Sequence, residues 1–343
     1  MSIYSRESAT GGHADVDQFR TTAATIEREV GRVIVGQEGV VRGALIALIA
    51  GGHVLLEGVP GLGKTRLVRA LAEALDLDYS RVQFTPDLMP ADITGTNIIS
   101  EDSSGERRFR FEPGPVFANL VLADEINRAT PKTQAALLEA MQESQVTVAN
   151  TLHRLPVPFM VLATQNPIEM EGTYPLPEAQ LDRFLLKIQV RYPSARELVD
   201  ILDRTTAGVD PTISRVAGAA DITRMQALAR QVPIADHVKE YAARLVMATH
   251  PGEPGVPKVT RDYVRFGASP RGAQAVVLAA KVSALLEGRF NVSYEDIRLV
   301  AHAALRHRMI LNFEADAEGV TADTVLDELV MSVTPDEAEL AVR

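Results

Sequence analysis

The sequence predicts an α/β fold in which a doubly wound, parallel, five-stranded sheet is followed by a smaller all-α domain. The first observation is that short β-branched apolar runs alternate with helical patterns over the first half of the chain. The second is that four of these five runs are almost uninterrupted apolar segments, as expected for strands covered on both faces. The candidate strands are residues 53–56, 81–84, 120–123, 159–163 and 185–190.

The pattern changes after Tyr192 and Pro193, beyond which only the 3.6-residue apolar period of helices remains. The first 16 residues are polar and rich in small side chains, which is typical of a disordered end. We therefore expect a disordered tail (1–16), an αβα core (17–192) and a C-terminal helical domain (193–343). The helical segments with the clearest periodicity are 18–33, 225–230, 237–248, 272–287 and 294–310.

Two insertions into the core have the pattern of β-hairpins. One covers residues 97–111, with turn-forming residues at 102–105 between extended flanks. The other covers residues 146–156, where Ala149 and Asn150 would form the turn.

Composition narrows the function classes. The 343 residues carry a net charge of -10, which lowers the expectation of a dedicated nucleic-acid binder, since such binding depends on neutralising phosphates. There are no cysteines, which excludes disulfides and thiolate sites.

Residues 1–20 lack the apolar core of a signal peptide, and the longest apolar stretch, 43–56, is too short to span a bilayer. We expect a soluble, cytoplasmic protein.

The segment from Gly58 to Thr65 (GVPGLGKT) has the spacing of a P-loop, and it follows a strand and opens a helix at 64–75. Glycines let backbone N–H groups surround phosphates, and the helix N-terminus adds partial positive charge. Lys64 would reach the β- and γ-phosphates of ATP, and the Thr65 hydroxyl would bind Mg²⁺. The alternative is an accidental glycine turn, which the strand–loop–helix context disfavours.

Polar side chains follow the next two predicted strands. Asp124 and Glu125 end an apolar strand, where Asp124 could hold Mg²⁺ and Glu125 could act as the general base for an attacking water. The alternative for this pair is a solvated strand end. Asn166 ends the following strand, where its amide could orient that water, although Asn before Pro167 also suits a simple turn.

Two arginines complete the candidate set. Arg183 precedes the last strand and is a candidate arginine finger that serves a neighbouring subunit; a surface pair with Asp182 is the alternative. Arg271 falls in the first turn of a helix beginning at Ser269 and Pro270, where a cation is unfavourable unless an anion such as phosphate is bound. A solvated arginine is the alternative there. His53, by contrast, fits a structural role better than a metal-binding one.

These motifs occur in the order found in AAA+ ATPases, and their amino-acid sequences resemble those of the MoxR family. The resemblance rests on QFTPDLMPADITGTN, LADEINRATPKTQAALLEAMQE, ATQNPIEMEGTYPLPEAQLDRF and SPRG, and it runs from about Val33 to about Met309. The departures are Thr130, where a second proline is usual, and a hairpin turn without glycine. The resemblance implies a P-loop NTPase core of the AAA+ type with hairpin insertions and a helical lid.

The resemblance also implies a site and a role. The implied ATP-binding residues are Val35, Gly36, Gly58, Pro60, Gly61, Leu62, Gly63, Lys64, Thr65 and Arg66. The implied catalytic residues are Lys64, Asp124, Glu125, Asn166, Arg183 and Arg271. Thr65 and Asp124 would hold Mg²⁺. AAA+ ATPases generally form rings, often hexamers, so the resemblance implies a ring here. It also implies a chaperone role on partner proteins, often together with von Willebrand factor A-domain proteins.

Two alternatives share the same core. One is a nucleic-acid motor or DNA-dependent regulator, for which a basic DNA-binding module would be expected and none is seen in the sequence. The other is a switch that binds ATP but hydrolyses little, against which the combination of Glu125, Asn166 and Arg183 argues.

Overall fold

The computed structural model describes residues 4–101, 107–167, 172–206 and 211–335. The helices are α1 (Tyr4–Gly31), α2 (Glu38–Ala50), α3 (Lys64–Leu75), α4 (Pro90–Thr94), α5 (Pro131–Glu143), α6 (Glu178–Leu181), α7 (Ala195–Thr206), α8 (Ala219–Gln231), α9 (Asp236–Met247), α10 (Lys258–Tyr263), α11 (Pro270–Leu286), α12 (Tyr294–Leu305), α13 (Phe313–Glu318) and α14 (Ala322–Ser332). The strands are β1 (Val54–Glu57), β2 (Tyr79–Gln83), β3 (Gly95–Glu101), β4 (Arg107–Pro113), β5 (Leu120–Asp124), β6 (Gln145–Val148), β7 (Thr151–Arg154), β8 (Met160–Gln165), β9 (Leu186–Gln189), β10 (Val264–Phe266) and β11 (Ile310–Leu311). Among the described helices, none is both long and apolar enough to cross a membrane.

The central sheet has the strand order β2-β5-β8-β1-β9, and every neighbouring pair is parallel. Side chains alternate strictly between two buried faces: in β5, Leu120 and Leu122 join one hydrophobic cluster while Val121 and Ala123 join the other. This confirms the predicted doubly wound, five-stranded parallel sheet. All five predicted strands are present, with ends that differ from the predicted ones by up to two residues.

Helix α1 corrects one expectation about the N-terminal region. The helix begins at Tyr4, so that residues 4–16, expected to be disordered, are helical. The physical reason is a buried apolar stripe that includes Val16, Phe19 and Ile26, along which α1 packs against α2, α3 and α11. Once that stripe has formed a helix, adding polar residues at its end costs less than starting a new helix.

The C-terminal region is predominantly helical, as predicted, with one addition. Strands β10 and β11 form a small antiparallel ribbon, which was missed because each has only two or three residues. The same hydrophobic cluster continues from the sheet through α1, α2 and α3 into α8, α9, α11 and α12. The helical region therefore shares a core with the sheet and is docked firmly against it.

The two hairpin insertions occur where they were expected. Strands β3 and β4 pair antiparallel, while the expected turn at 102–105 lies outside the described residues. Strands β6 and β7 are joined by Ala149 and Asn150, with φ of 47° and 64°, the left-handed geometry of a tight hairpin turn. The hairpins contact each other through Phe111, whose ring stacks on His153 with 3.8 Å between centroids.

Candidate nucleotide-binding site

The candidate site forms at the carboxyl edge of the sheet. The P-loop follows β1, Asp124 and Glu125 end β5, and Asn166 follows β8. Strand β8 lies between β5 and β1, and the three strands are parallel. The fold therefore brings the P-loop, the acidic pair and Asn166 to neighbouring positions, which is where ligands bind in sheets of this type.

The P-loop backbone has the conformation that a phosphate-binding loop requires. Gly61 and Gly63 have φ of 84° and 75°, a region that side chains rarely adopt, and a Cβ at either would meet open space. A side chain would have room at both positions, so steric crowding does not explain the two glycines. They are required by the positive φ of the backbone. Gly63 caps α3, whose N-terminal N–H groups face the same loop.

Lys64 is half-buried beneath this loop, and its ammonium donates a hydrogen bond to the Gly58 carbonyl. Burial lowers the pKa of Lys64, while the nearby charges of Asp124 and Glu125 act in the opposite direction. The Lys64 cation is thus close enough to the two carboxylates to interact with their charges. Thr65, next in the chain, is half-buried in the first turn of α3.

Asp124 is held by two residues that the sequence reasoning missed. Arg81 on β2 pairs with Oδ2 at 2.6 Å, and the Thr164 hydroxyl on β8 donates to Oδ1 at 2.7 Å. Oδ2 accepts from both Nε and Nη2 of Arg81, at 3.2 and 2.6 Å, whereas Oδ1 keeps a lone pair for a further ligand. Together with the Thr65 hydroxyl, Asp124 offers the hard oxygen ligands that Mg²⁺ prefers, so the residues fit that ion.

Glu125 has a left-handed backbone conformation, with φ of 57°. This conformation is unusual for glutamate, and the Glu125 N–H donates to the Thr164 hydroxyl at 2.8 Å, which helps to hold it. Its carboxylate accepts from the Gln83 amide at 2.8 Å and pairs with Arg128 at 3.2 Å. The candidate base is thus held by two donors, neither of which was recognised in the sequence. Asn166 is nearly buried at the adjoining strand end.

A cavity of about 460 Å³ adjoins the P-loop. Its lining includes predicted nucleotide-binding residues, namely Val35, Pro60, Gly61, Leu62, Gly63 and Arg66. Gly36, also predicted, is buried next to Val35. The opposite wall was not predicted: it comes from Tyr192 and from Leu198 and Ile201 on α7. An apolar wall beside a P-loop suits a flat heterocyclic base.

Arg183 and Arg271 lie together, but in a different place. Both line a cleft of about 240 Å³ that also contains Gly52 and His53, which precede β1. The Arg183 guanidinium donates to the Leu138 carbonyl at 2.9 Å, while its buried Nε has no hydrogen-bond partner. This cleft is at the amino end of β1, and the P-loop is at the carboxyl end.

His53 confirms the expectation of a structural role. Its Nδ1 accepts from the Val161 N–H and its Nε2 donates to the Met141 carbonyl, each at 3.0 Å. Both ring nitrogens are thereby used within the fold. Burial lowers the pKa of His53 to about 4, so the ring is neutral at physiological pH.

Comparisons with known proteins identify the family. The ATPase family associated with various cellular activities (AAA) matches residues 53–186, and the AAA lid domain matches residues 257–329. Chaperone MoxR1 of Mycobacterium tuberculosis is 44% identical over 90% of this chain and 82% of its own length. Protein MoxR of Methylorubrum extorquens is 38% identical over 88% of this chain and 91% of its own. The chain belongs to the MoxR family of AAA+ ATPases.

Two further relatives extend the similarity over nearly the whole length. The uncharacterized protein YeaC of Bacillus subtilis is 45% identical to this chain, over 92% of this chain and 95% of its own length. A solved structure from Cytophaga hutchinsonii, described only as a candidate ATPase, superimposes with a TM-score of 0.89. It is 40% identical and covers 96% of this chain and 99% of the other. The AAA+ fold with a helical lid is therefore confirmed.

Proposed function

We propose that this chain hydrolyses MgATP at the interfaces of a ring, expected to be a hexamer, and uses that energy to remodel partner proteins. The interface proposal depends on one observation. The P-loop lies at the carboxyl ends of the strands of the central sheet, and the two arginines lie at the amino ends. Arg183 comes just before β9 and the P-loop comes just after β1, and these strands are parallel neighbours. The Leu185 N–H even donates to the carbonyl of His53, at the amino end of β1.

Arg183 is too far from the P-loop to reach a phosphate bound there within the same subunit. The four residues of β1 span roughly 13 Å at about 3.3 Å per residue, and Arg183 is directed to the Leu138 carbonyl at the far edge. A P-loop site without a cation opposite the γ-phosphate is incomplete. A ring that presents the arginine cleft of one subunit to the P-loop of the next would supply that cation.

Each residue then has a defined task. The P-loop and Lys64 bind the phosphates, and Thr65 and Asp124 would hold Mg²⁺, which neutralises charge on the phosphate oxygens when bound. Glu125 would accept the proton of the attacking water, with Asn166 orienting that water. In the described conformation Gln83 and Arg128 both contact the Oε2 atom of Glu125, which restrains the orientation of the carboxylate that would act as base.

The proposed client role draws on the relatives. One of them bears the name chaperone, and two others bear the name MoxR. We therefore infer a protein client, with an A-domain protein as the candidate partner that the family resemblance suggests. A nucleic-acid partner has no support in the net charge of -10.

The interface proposal is tested by mixing two inactive variants. Lys64→Ala removes ATP binding or turnover from one subunit, and Arg183→Ala removes the finger from another, at a cost of ~10³–10⁵ in rate by analogy with other NTPases. Mixed rings contain some sites with an intact P-loop and an intact finger, so steady-state phosphate release should be partly restored. Arg224→Ala, at an exposed surface arginine of α8, serves as the matched control.

No restoration at any mixing ratio would contradict a finger that acts between subunits. Glu125→Gln tests the other half of the proposal, because it should bind ATP and barely hydrolyse it. The same variant, held in ATP, is the reagent for capturing a client. Stimulation of turnover by DNA would favour the nucleic-acid alternative instead.

A further inference from the structure

The residue beside the candidate finger joins the core to the lid. Asp182 directly precedes Arg183, and both of its carboxylate oxygens accept from the Ser269 hydroxyl, each at 2.9 Å. Ser269 is the N-cap of α11, where its Oγ also accepts from the Arg271 N–H at 3.2 Å. One carboxylate therefore links the segment carrying Arg183 to the helix turn carrying Arg271.

A second, buried contact fixes the position of Asp182. Arg308, three residues beyond the end of α12, has a side chain only 2% exposed and pairs with Asp182 Oδ1 at 2.8 Å. Its guanidinium also donates to the carbonyls of Asp182, Phe184 and Leu185, at 3.0, 2.7 and 3.1 Å. Four donor contacts from one planar side chain hold this stretch of backbone against the lid.

The packing around α11 leaves little freedom for its first turn. A Cβ added at Gly272 would come within 3.1 Å of the Arg308 side chain and of Leu305, so the helix start lies directly on α12. Ser269 thus approaches Asp182 from the start of α11, and Arg308 approaches it from the turn that follows α12. A displacement of α11 would have to break the Ser269 contact, while a displacement of the 182–185 segment would have to break the buried pair.

We propose that Asp182 and Ser269 form a positioning clamp that presents Arg183 and Arg271 as one unit to the nucleotide of the neighbouring subunit. The inference rests on the proposed function, because it assigns both arginines to a site between subunits. Neither clamp residue touches nucleotide; both act by fixing where the two guanidinium groups lie. The lid consequently moves together with the finger of its own chain.

The test compares two substitutions of similar size at one position. Ser269→Asp keeps an N-cap acceptor but replaces the hydroxyl donor by a carboxylate that repels Asp182. Ser269→Asn keeps the acceptor and supplies an amide donor, so it should restore the contact. Direct replacement of Asp182 is avoided, because it would leave the Arg308 charge buried without a partner and could unfold the lid.

The chain offers a matched control in the same domain. Ser293 is the N-cap of α12, and its hydroxyl donates to Asp296, which in turn pairs with Arg289. Ser293→Asp therefore imposes the same local repulsion on a lid helix, at a Ser–Asp–Arg cluster that does not include Arg183 or Arg271. Thermal melts show whether the two Asp variants destabilise the fold to a similar extent.

The expected result is a loss of kcat in Ser269→Asp by ~10- to 10²-fold, the effect of misplacing a catalytic group by about 1 Å. The affinity of its own P-loop for ATP should not change. Ser269→Asn and Ser293→Asp should retain kcat. Mixing Ser269→Asp with Lys64→Ala should restore activity, whereas mixing it with Arg183→Ala should not.

Other outcomes separate the two proposals. If Arg183→Ala keeps full turnover, the interface mechanism is wrong and the clamp is wrong with it. If Arg183→Ala loses turnover while Ser269→Asp keeps it, the clamp alone is wrong. A loss of kcat in Ser293→Asp as large as that in Ser269→Asp would also overturn the clamp, because the effect would then be general to the lid.

Discussion

Protonation of His53 should weaken the fold in mild acid. His53 directly precedes β1. Its two ring nitrogens bond to Val161 on β8 and to Met141 on α5, so the side chain connects these three elements. A second proton would have to go on Nδ1, which now accepts the Val161 N–H, so charging the ring breaks that bond. Burial accordingly lowers the pKa of His53 from its ordinary 6.5 to about 4.

The sign and size of the effect follow from this shift. A lowered pKa means that the unfolded chain takes up the proton first, so the stabilisation is fully present above pH 6.5 and is lost as the pH falls towards 4. At about 1.4 kcal/mol per pKa unit, the loss reaches roughly 3 kcal/mol. The pKa of the buried His307 is also lowered by burial, so its contribution has the same sign.

The assay is urea unfolding of the protein and of His53→Gln from about pH 8 to about pH 4, at one fixed protein concentration. The variant loses a buried hydrogen bond at every pH, which offsets its curve by ~1–3 kcal/mol. The offset should be constant above pH 7 and should shrink as the pH falls to 4, since only the parent protein carries the titrating ring. Parallel curves over the whole range would refute the reasoning, because the slope would then come from other groups.

Three further predictions concern the nucleotide site and the second hairpin. Gln83→Ala should raise basal phosphate release several-fold by removing one of the two contacts to Glu125 Oε2, since a hydrogen bond to a charged group is worth ~1.5–3 kcal/mol and exposure reduces it; equal or lower turnover contradicts this. Ile201→Ser should weaken ATP binding ~5- to 30-fold through the loss of ~1–2 kcal/mol of apolar contact, and titration with a fluorescent nucleotide compares it with Val199→Ser on the exposed side of α7. Ala149→Gly should raise the unfolding free energy by ~0.5–1 kcal/mol in thermal melts, because glycine removes the cost of a left-handed alanine.

Local signals were sufficient to predict parts of the site. Helix α3 runs from Lys64 to Leu75 as expected, because a glycine cap and a single apolar stripe define it within twelve residues. Ser269 and Pro270 begin α11 as the sequence indicated, and Thr130 and Pro131 begin α5 in the same way. Such elements depend on neighbours in the chain, so the sequence contains most of the information.

The partners of the acidic pair could not be predicted in the same way. Arg81 and Gln83 lie on β2, which is one of the two edge strands of the sheet, and polar side chains are common on edge strands, so they give no signal in a sequence. Their role becomes visible only because β2 pairs with β5, so that Gln83 lies opposite Asp124 in register. That pairing joins strands about 40 residues apart in the chain, and it depends on the strand order of the whole sheet.

Strand β1 links two successive sites in the proposed ring. Its carboxyl end continues into the P-loop that would bind one nucleotide, and the residues just before its amino end, Gly52 and His53, line the cleft from which Arg183 would reach the next nucleotide. The strand lies between β8 and β9 and three of its four residues are buried, so it cannot bend without disturbing both neighbours. A shift of the P-loop on hydrolysis would therefore reach the arginine cleft through a rigid element only four residues long. Strand β1 would then couple neighbouring subunits directly, because the P-loop follows it and the arginine cleft borders its amino end.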